Sequence, residues 1–579
     1  MSPFFCLLGP AHEPDLFCVR HNSSRFLRIW AMTGYDAHQN YCRPCHYMLS
    51  IGNGEPFQTS ARRLIKMMRL LRHSCLITVF ALLCGCATVD FDYPKPVTNA
   101  LTETDDTYLG RQLEGLAEQH PGEAGFYPLP DGIDALSARL LMAERAERSI
   151  DAQYYLIKSD ITSTAFIHAL LRAADRGVRV RLLLDDIFTG GYDAGMAGLD
   201  SHPNFEIRIF NPFARRSARF MDGITSFSRI NRRMHNKSFT VDNQLTIIGG
   251  RNIADEYFGA REDAKFGDLD VAGIGPIVND VSNMFDSYWN HERAAPIEAF
   301  ADMPDDPAAE LVRLRTELEQ SRERIITSKY AEAVRDKVLE YVETDASPFI
   351  WAPYTLAVDS PDKAFKSKAA EADSIKTPLR ESLLSATNEV IIISPYFVPL
   401  KAGIEAIAEL QRSGVDVTVI TNSLAANNQS SVHGGYAPSR KPLLKSGVRI
   451  FEVRADADVS GSEFVAASGA KATLHTKAFI VDRREMFIGS FNFDPRSANI
   501  NTELGVIIRS PEMADQSAKL INAALAEQTY EVFLNEKGKL RWRGLENGQE
   551  VIFDKEPQTT WSQRFSAGFM RILPIRGQL

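Results

Sequence analysis

Apolar residues along the central part of the chain switch between helical and strand spacing, and they do so twice in the same succession. Leu136 to Arg148 has apolar positions at helical intervals, Ile150 to Ile157 reads as a strand, Thr164 to Arg176 as a helix, and Gly177 to Asp185 as a buried parallel strand. Downstream, Leu383 to Ala386 ends a helix, Glu389 to Ser394 is a strand, Ile404 to Arg412 a helix, and Gly414 to Thr421 a strand. Short strands at Phe205 to Phe210 and Val448 to Val453 complete a β-α-β-α-β unit in each half, followed by a hairpin. The pattern predicts an α/β fold with two α-β-α sandwich domains, each built on a mixed, mostly parallel sheet with helices on both faces.

Composition shifts mark the boundaries. Residues 87–130 are polar and rich in proline, which predicts a tether; 131–300 form the first domain and 346–530 the second. Residues 301–345 are highly charged with Leu311, Leu314 and Leu318 at helical spacing, which predicts a helical linker, and 531–579 form a C-terminal appendage.

Each half carries the same polar motif. Met234 to Phe258 and Leu474 to Ser497 share the order His, Lys, Asp, Gly, Asn: His235, Lys237, Asp242, Gly249-Gly250 and Asn252, then His475, Lys477, Asp482, Gly489-Ser490 and Asn492. Positions i and i+2 of a strand point to one face, so each histidine projects with its lysine. Asp242 and Asp482 fall at the hairpin turn, where a structural role competes with a catalytic one. Gly250 and Ser490 lack bulk and precede a predicted helix start, a common way to hold phosphate oxygens beside Asn252 and Asn492. Glu256 and Glu503 are candidates to orient the histidines. One such motif alone is a loose signal, but two matching copies suggest two half-sites of one active site.

These residues resemble the phospholipase D superfamily, whose mark is HxKxxxxD followed by a glycine and asparagine segment, over roughly Asp131 to Arg509. The segments Asn231 to Lys237, Gly249 to Ile253, Leu424 to Asn427 and Gly489 to Ser497 resemble its cardiolipin synthase branch, most closely the C type. The resemblance implies two domains related by a pseudo-twofold axis. It also implies transfer of a phosphatidyl group through a phosphohistidine, with His235 as nucleophile and His475 as general acid and base. Lys237, Lys477, Asn252 and Asn492 would neutralise the non-bridging oxygens. Phosphatidylglycerol is the implied acceptor and phosphatidylethanolamine a candidate donor; no cofactor or metal is called for. A phospholipase D hydrolase would use the same residues with water as acceptor, and a nuclease or a catalytically dead lipid-binding protein are the alternatives from other classes.

The start of the chain adds a location. Lys66 to Cys86 has a basic beginning, an apolar run from Cys75 to Leu83, and Leu83-Cys84-Gly85-Cys86, which resembles a bacterial lipobox with Cys86 as the acylated residue. The expectation is a signal peptide over 67–86, a true start at Met67 or Met68, and a mis-assigned extension over 1–66. The protein would then be a membrane-anchored lipoprotein of the bacterial envelope, facing the periplasm. Within the extension, Cys42-Arg43-Pro44-Cys45-His46 matches a haem attachment pattern but has no surrounding fold to hold a haem. All seven cysteines lie at or before Cys86, so disulfides do not staple the domains.

A net charge of −9 supplies no overall basic field and counts against nucleic acid as the main partner. Phe210 to Arg233 interleaves Arg215, Arg216, Arg219, Arg229, Arg232 and Arg233 with Phe213, Phe220 and Phe227, a composition that suits an anionic lipid surface and also single-stranded nucleic acid. Trp561 to Leu573 has aromatics and aliphatics at helical intervals and suits either a membrane interface or packing on the body. Neither segment identifies a protein partner.

Overall fold

The repeated succession of elements builds two large sheets around a shared core. The computed structural model describes residues 88–579 except 262–263, 326–327, 329, 337–348, 366–373, 459–470 and 574–575. They fall in one compact unit, Cys86–Leu579. The export signal, Cys86 and the Cys42 to His46 pattern lie outside the described residues.

The first sheet runs in the order Ile350–Ala352, Ala124–Leu129, Asp270–Ile274, Leu245–Gly249, Ser238–Val241, Ser149–Tyr154, Arg179–Asp185, Phe205–Phe210 and Ala294–Pro296. The second runs Tyr354–Val358, Leu504–Ile508, Glu485–Gly489, Ala478–Val481, Glu389–Ile393, Asp416–Asn422, Arg449–Val453, Thr529–Leu534, Leu540–Glu546 and Gln549–Phe553. The mixed character is as expected, but the sheets are not mostly parallel. In the first sheet only the three strands from Ser149 to Phe210 pair in parallel, and in the second only those from Glu389 to Val453. Around each block, hairpins with short turns force antiparallel neighbours, because a parallel return needs a long crossover.

The predicted helices form with defined starts. Asp131 caps Gly132–Arg145 by accepting from the amides of Ile133 and Asp134, and Asp160 caps Ile161–Asp175 by accepting from Ser163. Phe166, Leu170 and Leu171 carry the second of these into the core of the first half. A second core joins both halves, with Phe126, Ile248 and Phe285 against Ile391, Ile488 and Val506.

Three boundaries differ from expectation. The tether is docked: Ala124–Leu129 is an interior strand of the first sheet, and Lys95 donates to the carbonyls of His291 and Ala294, both at 2.6 Å. Buried Arg181 and Arg208 donate to the carbonyls of Thr98 and Pro96, so this segment satisfies cations that would otherwise be buried without enough acceptors. The chain crosses between halves at Pro353, since Ile350–Ala352 still belongs to the first sheet. Residues 531–553 are no appendage, because they extend the second sheet and bury Trp542, whose Nε1 donates to Glu452 at 2.9 Å. The charged linker forms the helix Pro307–Ile325, and Leu311, Leu314 and Leu318 pack it onto the first half.

Candidate active site

Each histidine stands just ahead of a hairpin, and each is fixed by the opposite half. The amide of His235 donates to the carbonyl of Thr502 at 2.9 Å, and that of His475 to the carbonyl of Gly267 at 2.7 Å. The residue following each acceptor is an acid. Glu503 therefore meets His235 Nδ1 at 2.8 Å, and Asp268 meets His475 Nδ1 at 2.5 Å. With Nδ1 committed to a carboxylate, Nε2 is the nitrogen left to react.

Glu503 thus lies in hydrogen-bond contact with a histidine. Glu256 does not, because it pairs with Lys158 instead. Asp268, absent from the expected residues, holds the equivalent place: Gly249 lies opposite Asp270 and Gly489 opposite Gly505, so Asp268 and Glu503 sit at matching positions ahead of the returning strands. An acid just before the strand that follows each hairpin was the signal available.

The lysines close the site. Lys237 Nζ donates to its neighbour's carbonyl at His235, 2.5 Å away, and Lys477 Nζ reaches the carbonyl of His475 and both its ring nitrogens, at 2.7 and 3.2 Å. Burial pulls Lys237 down to about 7 and Lys477 to about 8. Burial also takes both imidazoles down to about 4; for His235 it outweighs the upward pull of Glu503, and for His475 Lys477 adds to it against Asp268. Burial alone would raise Asp268, but Lys477 and His475 hold it at about 2. The resting site therefore has neutral imidazoles, ionised acids and two ammoniums that titrate near neutrality.

Aromatic rings shape the walls. Tyr155 meets His235 edge-on with centroids 4.9 Å apart, and Phe266 stacks on His475 at 5.3 Å. A family model described as "Cardiolipin synthase, PLD-like domain" matches residues 140–289 and 379–525, one match in each half. The chain belongs to this family. It is 40% identical to Cardiolipin synthase C of Escherichia coli (strain K12), over 79% of this chain and 97% of that protein. It is 23% identical to Cardiolipin synthase A of Edwardsiella ictaluri (strain 93-146), over 70% of this chain and 71% of that one. Among solved structures, phosphatidylserine synthase of Haemophilus influenzae Rd KW20 shares the fold with a TM-score of 0.50 at 14% identity, covering 78% of this chain and 95% of that one.

In this cardiolipin synthase family member, the remaining expected site residues differ in how far their polar atoms are engaged inside the protein. Asn252 donates to the hydroxyl of Tyr257 at 2.9 Å, while the side-chain oxygens of Asn252 and Asn492 are buried without a partner among the described residues. Gly250 and Ser490 serve the acids rather than forming a phosphate cradle. A Cβ at Gly250 would overlap the Asp268 carboxylate, and Ser490 donates its hydroxyl to Glu503 at 2.5 Å. The helices that follow, Asp255–Phe258 and Pro495–Asn499, are single turns and supply no helix-terminus anion site.

Asp242 and Asp482 occupy the hairpin turns with φ of 50° each. Asp242 accepts from the amides of Glu147, Arg148 and Ser149, and Asp482 from those of Thr387, Asn388 and Glu389. Their carboxylates hold the start of the neighbouring central strand and touch neither histidine.

The arginine-rich segment is less cationic than its composition suggests. Arg215 pairs with Asp222, Arg216 with Asp186 and Asp193, Arg219 with Asp186, and Arg233 with Asp185, while Arg229 and Arg232 donate to carbonyls. What it presents outward is apolar: Phe220, Ile224 and Phe227 are each more than half exposed. The helix Trp561–Met570 packs through Ala567, yet Trp561, Phe565 and Phe569, with Ile572 just beyond, form an exposed apolar stripe. The two patches are linked, since Asn231 donates to Gln578 at 2.8 Å and Arg496 to the carbonyl of Leu579 at 3.0 Å and to Asn231 at 2.9 Å.

Proposed function

We propose that the protein moves a phosphatidyl group through a phosphohistidine to the free hydroxyl of phosphatidylglycerol, making cardiolipin. The enzyme class follows from the family: it is a phospholipase D-type phosphatidyltransferase, associated with bacterial membranes and acting on phospholipid. The observation that carries the reaction is the crossed wiring of the two histidines. Each imidazole has its Nδ1 held by a carboxylate from the opposite half, which leaves the Nε2 of two neutral rings for the chemistry at phosphorus.

In the first half-reaction Nε2 of His235 attacks phosphorus, and the bond to the leaving alcohol breaks as His475 delivers a proton to it. An entering anionic phosphodiester raises the pKa of His475 enough to load that proton. In the second, His475 takes the proton from the acceptor hydroxyl, whose oxygen attacks phosphorus and releases His235. Lys237 and Lys477 would neutralise the non-bridging oxygens with the Asn492 amide as a further donor, while the Asn252 amide is already engaged with the Tyr257 hydroxyl. The choice of His235 as nucleophile rests on family resemblance and one asymmetry: Lys477 touches both ring nitrogens of His475, a proton-rich setting that suits the acid and base. Phosphatidylglycerol or phosphatidylethanolamine is the donor.

The exposed Phe220, Ile224 and Phe227 and the Trp561 to Ile572 stripe suit insertion among lipid headgroups, with an acylated Cys86 as the second attachment on the periplasmic side. Among the described residues no helix is long and apolar enough to cross a membrane.

Lipid mass analysis of cells without endogenous cardiolipin synthesis tests the reading. Cardiolipin is expected with the intact protein and lost in both His235→Ala and His475→Ala. Its absence with the intact protein, or phosphatidic acid in its place, overturns synthesis; its persistence in both variants overturns the site.

A further inference from the structure

We infer that an apolar cavity beside His235 is a binding site for one acyl chain of the phosphatidyl donor, an inference that rests on the phosphatidyltransfer reading above. The cavity is about 160 Å³ and lies between the Asp193–Asp200 helix, the Ile161–Asp175 helix and the linker helix Pro307–Ile325. Its walls include Ile167, Met196, Leu199, Leu314 and Leu318. Several of the polar residues that line it are engaged inside the protein. Asp185 accepts from the amides of Ile187 and Met234, Ser163 donates to the carbonyl of Ile253, and Lys158 pairs with Glu256. Most of the lining surface is apolar, and an apolar cavity of about 150 Å³ stays dry and takes a six-carbon ring.

Position identifies the guest. Tyr155 lines the cavity and also meets the His235 ring, and Phe188, stacked edge-on to Tyr155 at 5.6 Å, stands half exposed beside it. A phosphatidyl group joins its phosphorus to its first acyl carbons through only a few bonds. A diacylglycerol held on His235 therefore has a chain within reach of this cavity, which has room for roughly six carbons by the same comparison. The linker helix gains a purpose, since its leucines form one wall of the cavity.

Gly195 supplies the test. It lines the cavity within a helix, and a Cβ there would meet no heavy atom within 4 Å, so a larger side chain enters open space. Each methylene withdrawn from water strengthens binding about fourfold. For purified intact protein acting on soluble phosphatidylglycerols of increasing chain length, kcat/KM is expected to rise steeply over the first six or so carbons. Gly195→Phe, and Leu314→Phe from the opposite wall, should flatten that rise by at least about tenfold at the longer lengths while the shortest substrate keeps its rate; Gly195→Ala should leave the series intact. An unaltered series in both filled variants overturns the acyl site alone. No turnover at any length by the unsubstituted protein overturns the phosphatidyltransfer reading beneath it.

Discussion

Replacing Glu503 by glutamine keeps the shape of the side chain and removes its charge. Glu503 is fully buried, accepts from Ser490 and His235, and receives no solvent screening. Attack by His235 on phosphorus creates a cationic phosphoimidazolium, and the carboxylate stabilises that charge through Nδ1–H. A hydrogen bond to a charged partner contributes about 1.5–3 kcal/mol and a neutral one about 0.5–1.5 kcal/mol, so the exchange removes about 1–2 kcal/mol from the transition state. At about 1.4 kcal/mol per tenfold, kcat should fall about 5- to 30-fold. KM should change little, because the neutral ground state loses less. The assay is steady-state transfer between phospholipids in mixed micelles, with the unfolding midpoint measured alongside. In a His235→Ala background the same change should have no further effect, since the partner it serves is gone. Activity within twofold of the unsubstituted protein at unchanged stability would refute the crossed wiring as a catalytic device.

Two further expectations follow from the same burial. Lys237 and Lys477 are held at about 7 and 8, so kcat/KM should decline as pH rises through that range and both ammoniums are lost; bound phosphodiester holds them protonated longer, so the limb in kcat should lie at higher pH. His235 and His475 fall from 6.5 to about 4 on folding; the unfolded chain therefore binds more protons between those values, and stability should drop on acidification through that window, read by urea unfolding. A kcat/KM flat to about pH 10 would contradict the first. Asp242→Ala strands three amides, at about 1 kcal/mol each, and should lower stability by about 3 kcal/mol while the folded fraction keeps its kcat; a selective loss of kcat would assign Asp242 to the chemistry.

What could be read from the sequence was local. His235 with Lys237 and His475 with Lys477 were legible from their repeated spacing, although each pair stands ahead of its strand, Ser238–Val241 or Ala478–Val481, and not on it; Phe205–Phe210 forms with the bounds its apolar run suggests. Asp268 escaped because only its place just before the returning strand marks it in the sequence, while its partnership with His475 depends on sheet register and on the other half of the chain. Glu256 and Glu503 were both candidates to orient the histidines, yet in the first half the strand pairing puts Asp268 in the position that matches Glu503. The tether misled for a related reason: the prolines and polar residues of 87–130 mark irregular backbone, but docking is decided by Arg181 and Arg208, whose need for acceptors appears only when they are buried. The arginines of Phe210 to Arg233 likewise read as free charge until Asp185, Asp186, Asp193 and Asp222 come together around them.

On the proposed reaction, the exchange of acids between the halves also sets when the site is complete. As the chain emerges in order, the first half completes its hairpin with His235 and Lys237 long before Glu503 exists to steady the ring, and Asp268 waits for a histidine still to be made. A chain interrupted anywhere short of Glu503 carries a histidine without its acid. On the proposed reaction the molecule therefore behaves as a two-key lock: the centre is complete only when the strand Leu504–Ile508, with Glu503 at its head, has folded beside the first half.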